Sequence, residues 1–127
     1  MALIIDLKPK ERVIIGDAVI TNDRQRTRLH VEGDAPILRE KDIMRAEEAD
    51  TPCKRIYLAV QLMYLARNPR DHFENYFALV KEVQDAAPSM AGFILQINEQ
   101  IISGSFYKAL KEARKLIDYE QEVMSHA

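Results

Sequence analysis

The chain has 127 residues, 47% of them hydrophobic and 30% charged, with a formal net charge of −2. That length suits one domain or two small subdomains with a packed core. The near balance of charge excludes a globally basic nucleic-acid binder, so any RNA surface must come from local clusters of Arg and Lys.

In chain order, residues 1–45 carry short β-favouring runs separated by turn residues. Leu3, Ile4 and Ile5 lead into the breaker Lys8-Pro9-Lys10, and Val13, Ile14 and Ile15 into Gly16-Asp17. Ala18, Val19 and Ile20 lead into Asn22-Asp23. Arg24 to Val31 alternates and stops at Gly33-Asp34 and Pro36, and a last short strand covers Ile37 to Arg39. Short strands with this punctuation predict a small antiparallel sheet.

After Met44 the apolar period becomes helical. Thr51-Pro52 is a helix start, because Thr accepts a bond at the N-cap and Pro suits the first helical position. Ile56, Leu58, Ala59, Leu62, Met63 and Leu65 follow, dense enough for a buried helix. Asn68-Pro69 repeats the start signal, and Phe73, Tyr76, Phe77, Val80 and Val83 form one stripe. Pro88 punctuates again. A third helix runs through Phe93, Ile94, Ile97 and Ile101 to Ser103-Gly104, and a fourth from Phe106 through Leu110, Leu116 and Val123. The predicted fold is α+β: a β-rich subdomain over 1–45, then an α-helical hairpin or bundle over 46–127.

Catalytic readings lack parts. His30, His72 and His126 share no metal-ligand spacing with one another or with Cys53. None of the four glycines sits in a phosphate-binding loop. Cys53 with His72 suggests a nucleophile and base, but a cysteine opening an apolar helix is usually a small packing residue. A helix N-terminus lowers a thiol pKa, which leaves redox sensing as a remote alternative. The expectation is a protein without catalytic residues, metal or cofactor. A single cysteine forms no internal disulfide, the N-terminal apolar run is too short for a signal peptide, and no stretch reaches membrane-spanning length. The protein is therefore read as cytoplasmic, with no membrane contact.

Three segments are candidates for RNA contact. Along a strand from Arg24 to Val31, the side chains of Arg24, Arg26, Arg28 and His30 share one face. Three guanidiniums in a row can each grip a phosphate with paired donors or stack on a base. On pattern alone, a solvated strand face explains them somewhat better. Arg39 and Lys41 alternate with Glu40 and Asp42, which reads equally as a charged turn leading Ile43 and Met44 to the core. Lys54 and Arg55 lie in the first turn after Thr51-Pro52, where cations oppose the helix dipole. That placement asks for an anion or a carboxylate nearby. Tyr57 could stack on a base, although helix tyrosines more often pack.

The stretch Ala35-Pro36-Ile37-Leu38-Arg39-Glu40-Lys41-Asp42-Ile43-Met44 resembles the central motif of the FlbT family. Thr51-Pro52-Cys53-Lys54-Arg55-Ile56-Tyr57 followed by Met63-Tyr64-Leu65 is similar to it as well, as are Tyr107-Lys108-Ala109-Leu110 and Arg114-Lys115-Leu116-Ile117-Asp118-Tyr119-Glu120. The resemblance covers nearly the whole chain. It implies a post-transcriptional regulator that binds the 5′ untranslated leader of flagellin mRNA, blocks translation and promotes decay of the message. Some members favour flagellin production instead. The resemblance also implies a FlaF-type regulator or flagellin itself as a protein partner.

Glu11-Arg12-Val13-Ile14-Ile15-Gly16-Asp17, Ala35-Pro36 and Leu38-Arg39-Glu40 further resemble the carbon storage regulator (CsrA) family of small RNA-binding β-dimers. That likeness implies Arg39 as an RNA contact beside the strand Leu3 to Ile5. Lys10 stands where that family carries glycine, and the segment from Ala35-Pro36 to Arg39-Glu40 is shorter. Taken together, the expected RNA-binding residues are Arg39, Arg24, Arg26 and Arg28, then Lys41 and Lys54, on a homodimeric β-subdomain. The rival reading is a chaperone or assembly checkpoint that binds flagellin through the helical part.

Overall fold

A computed structural model describes residues 2–126, and the chain divides between Ile43 and Met44. A buried carboxamide holds the first residue of the second unit. Gln61 accepts from the Met44 backbone N–H at 2.8 Å and donates to its carbonyl at 3.0 Å, so Met44 belongs to the helical unit.

The N-terminal unit holds five strands: β1 (Ala2–Leu7), β2 (Arg12–Ile15), β3 (Ala18–Thr21), β4 (Thr27–Glu32) and β5 (Ile37–Arg39). All pairings are antiparallel. β1 pairs with β4, and a second sheet runs in the order β3-β2-β5. Alternation decides which side chains meet. Ile5, Leu7 and Val13 are buried together, and Ile15, Leu29, Val31 and Ile37 pack against them. On β4 this turns Leu29 and Val31 inward and leaves Arg28, His30 and Glu32 exposed.

The strand predicted from Arg24 begins only at Thr27. Its partner β1 ends at Leu7, opposite Thr27. Before that pair the chain folds onto the Gln25 carbonyl, which accepts from the Thr27 hydroxyl at 3.1 Å and the Asn22 amide at 2.9 Å. Asn22 is buried, and its NH₂ group also faces the carbonyls of Lys8 at 2.8 Å and Leu7 at 3.3 Å. Its own carbonyl accepts from the Asp23 N–H at 2.9 Å. Backbone bonds from Lys10 N–H to Asp23 and from Asn22 N–H to Glu11 close the same junction. One side chain thus ties the 8–11 turn to the 22–26 loop.

The helical unit contains α1 (Pro52–Leu65), α2 (Phe73–Ala86), α3 (Ala91–Ile102) and α4 (Phe106–Ser125). α1 packs on α2 and α4, and α3 packs on α4. The stripe predicted on α2 is narrower than expected. Tyr76, Val80 and Val83 are buried, whereas Phe77 is exposed and stands edge-on to Phe73 and Tyr76. Tyr76 donates its hydroxyl to Asn98 at 2.6 Å.

At the start of α1, Thr51 accepts from the Lys54 N–H at 3.2 Å. Its hydroxyl donates to Glu120 of α4, whose other carboxylate oxygen accepts from the Cys53 N–H at 3.2 Å. Glu120 is therefore the anion that the unpaired N–H groups and dipole of this helix attract. The redox reading of Cys53 is corrected here. Burial, and then the Glu120 carboxylate, push its thiol from an ordinary value near 9 up to about 12.

Two outcomes test this account. Asn22→Asp keeps the shape but sets a carboxylate against three carbonyl oxygens. It should destabilise the N-terminal unit by about 2–3 kcal/mol, read as lost amide-exchange protection in β1 and β4. Native Cys53 should resist iodoacetamide at about pH 8.5, where a free thiol is half ionised. The folded state holds the thiol proton more tightly than the unfolded state. Stability should therefore be intact below about 9 and fall as pH rises toward about 12, in denaturation followed by circular dichroism.

Candidate nucleic-acid interface

The register of the first sheet sets Asp6 directly opposite Arg28. Arg28 donates Nε to Asp6 Oδ1 at 2.9 Å, and both side chains are largely exposed. The backbone carbonyl of the same Asp6 accepts from Arg39 Nη2, also at 2.9 Å. Arg39 ends β5 of the other sheet, so its side chain spans from one sheet to the other. Two exposed guanidiniums thus converge on one residue. Each of these bonds engages one of the five N–H donors of its guanidinium. An exposed pair of this kind contributes about 0–1 kcal/mol, so its effect is orientation more than stability.

Of the strand face expected to carry Arg24, Arg26, Arg28 and His30, only Arg28 and His30 lie on β4. Arg24 and Arg26 are exposed in the preceding loop, where they flank Gln25. The bond from Asn22 to the Gln25 carbonyl fixes that loop against the 8–11 turn.

Lys41 lies in the single 3₁₀ turn Glu40–Asp42 that follows Arg39. With Lys8, Pro9, Lys10, Glu11 and Glu40 it lines an open depression of about 440 Å³. Glu11 turns one carboxylate oxygen to the Lys8 N–H at 2.8 Å. Lys10 has φ +65°, the one left-handed non-glycine residue among those described. This conformation costs roughly 1–2 kcal/mol for a side chain with a Cβ. Its exposed ion pair with Asp23, at 3.5 Å, contributes about 0–1 kcal/mol and does not offset that strain.

Lys54 belongs to the helical unit and pairs with Asp50 at 3.1 Å, one turn earlier. The carboxylate that its helix start asked for is Glu120. Tyr57 is buried, with the Arg114 guanidinium 4.6 Å from its ring centre, so its face does not serve as a base platform. Sequence reasoning missed Asp6, Lys8, Lys10 and Asn22. The available signal was two lysines flanking a proline just before a strand, which reads first as a breaker. No helix among the described residues is long and apolar enough to cross a membrane.

Comparison with known proteins places these features in a family. The family profile for flagellar protein FlbT matches residues 3–124. A probable flagellum biosynthesis repressor protein FlbT of Bradyrhizobium diazoefficiens is 51% identical over 124 residues, covering 97% of this chain and 85% of that protein. A probable FlbT repressor of Rhodopseudomonas palustris is 50% identical over 125 residues, covering 98% of this chain and 99% of its own length. The flagellum biosynthesis repressor protein FlbT of Caulobacter vibrioides is 35% identical over 129 residues, covering 99% and 92%. No solved structure matches. The chain belongs to the FlbT family of flagellar proteins, whose named members here are repressors rather than enzymes.

Proposed function

We propose that this protein is a cytoplasmic post-transcriptional regulator of flagellin synthesis. Its N-terminal unit binds the untranslated leader of flagellin mRNA, which represses translation, promotes decay and couples synthesis to flagellum assembly. The observation that carries the reading is the convergence of Arg28 and Arg39 on Asp6 at an exposed surface. Arg39 and Arg28 contact bases or backbone, and the loop arginines Arg24 and Arg26 hold phosphates. The target is an unpaired loop, because A-form duplex hides its base edges in a deep, narrow groove. An occupied leader competes with ribosome loading. The family membership and the names of the relatives support the flagellar side of this reading.

The active form is a homodimer joined through β3. That strand lies at the edge of its sheet, all four of its residues are exposed, and Val19 is 62% exposed. A second copy supplies what such an edge lacks: antiparallel backbone partners and apolar cover. The N-terminal unit has few buried side chains of its own, and units this small are commonly stabilised by association.

A second reading is favoured by one observation. Leu95 and Ile102, two turns apart on one face of α3, are 55% and 84% exposed, which suits docking of flagellin or a FlaF-type regulator on the helical unit.

Arg39→Ala should lose about 1–3 kcal/mol of affinity for a labelled flagellin leader in a mobility-shift titration, and Glu47→Ala should lose none. Equal binding by the two variants removes Arg39 from the interface. If purified protein shifts no leader at any salt and flagellin co-purifies instead, the docking reading replaces RNA recognition. Val19→Lys should move the protein from dimer to monomer in sedimentation equilibrium. A monomeric parent protein overturns the β3 interface.

A further inference from the structure

We propose that the depression lined by Lys8, Lys10 and Lys41 seats a phosphodiester of single-stranded RNA. The proposal deepens the RNA-binding reading above and rests on it. Three lysines from two separate segments, residues 8–11 and 40–41, line one open cavity of about 440 Å³ together with Glu11 and Glu40. Lysine suits such a seat because its ammonium is a compact point charge with three rotatable donors. Pro9 keeps the turn stiff between Lys8 and Lys10.

The backbone of Lys10 is the second line of support. A residue held left-handed is ordinarily glycine; the backbone bond from Lys10 N–H to Asp23 explains the conformation but does not call for a lysine side chain there. Strained backbone that persists in spite of a simpler alternative gathers at functional sites. Its backbone N–H is used by Asp23, but the exposed side chain gains a use if the ammonium exchanges its Asp23 partner for a phosphate.

The two carboxylates set the sign of a control. Glu11 is engaged by the Lys8 N–H, while Glu40 lines the same cavity and opposes an incoming phosphate. Arg39 immediately precedes Glu40, so the seat and the Arg39 interface share one segment of backbone.

The test is a salt titration of leader binding by the full-length protein. For the Lys8→Gln/Lys41→Gln double variant, the slope of log affinity against log salt should flatten by about 1.4, roughly 0.7 for each phosphate contact to a single strand. Glu40→Gln should bind more tightly than the parent at low salt. Lys10→Gly should weaken binding while its melting temperature stays level or rises, which a merely structural lysine would not do. An unchanged slope in the double variant, with the parent still shifting the leader, overturns the seat and leaves the Arg39 interface standing. A parent that shifts no RNA overturns both. Inorganic phosphate at matched ionic strength should displace no more leader than chloride does. Full displacement by phosphate makes this a site for the free ion and overturns the strand proposal.

Discussion

The N-terminal unit depends on one buried side-chain amide. Asn22 has two N–H donors, and three carbonyl oxygens, from Leu7, Lys8 and Gln25, lie within hydrogen-bonding distance of its nitrogen. One of those protons is therefore shared. In water each of these carbonyls would be solvated without constraint. Here they are gathered at a buried point, and loss of the amide leaves them facing one another. The arrangement decides where the 8–11 turn and the 22–26 loop run, and with them the positions of Lys8, Lys10, Arg24 and Arg26. It contributes no charge to the surface it organises.

Asp6 plays a comparable part with different atoms. Its carboxylate orients Arg28 across the strand pair, and its backbone carbonyl holds Arg39 from the other sheet. Residues 1–43 carry eight basic and eight acidic side chains, so the unit has no overall field to attract a polyanion. What it has is arrangement. Local placement of guanidinium and ammonium groups, with acidic residues serving as struts, creates donor clusters that a charge count cannot reveal.

The helical unit uses the same economy. Glu120 from α4 satisfies the N-terminus of α1, whose first turn has no acidic residue of its own. The carboxylate supplies the anion that the cations of this first turn ask for. Cys53 is fully buried, and burial and then that carboxylate push its thiol pKa up, which is the setting of a packing residue.

How much of this could be read in advance follows from the range of the forces involved. The five strands, the four helices and the change of rhythm near residue 45 were legible, because side-chain periodicity and turn residues act over a few neighbours. That Arg28 and His30 share one face of β4 followed from alternation alone, and the core that Leu29 and Val31 meet turned that face outward. The strand start at Thr27 did not, because it depends on where β1 runs out of partners and on an amide five residues upstream. Arg39 entered through family resemblance, and its bond to Asp6, 33 residues away, exists only once the two sheets are assembled. The same holds for Lys8 and Lys10 beside Lys41, and for Glu120 at the start of α1. Sequence by itself determined the elements and the faces they present. Tertiary structure decided which distant charges meet, because electrostatic and hydrogen-bond partners are chosen by position in space and not by separation along the chain.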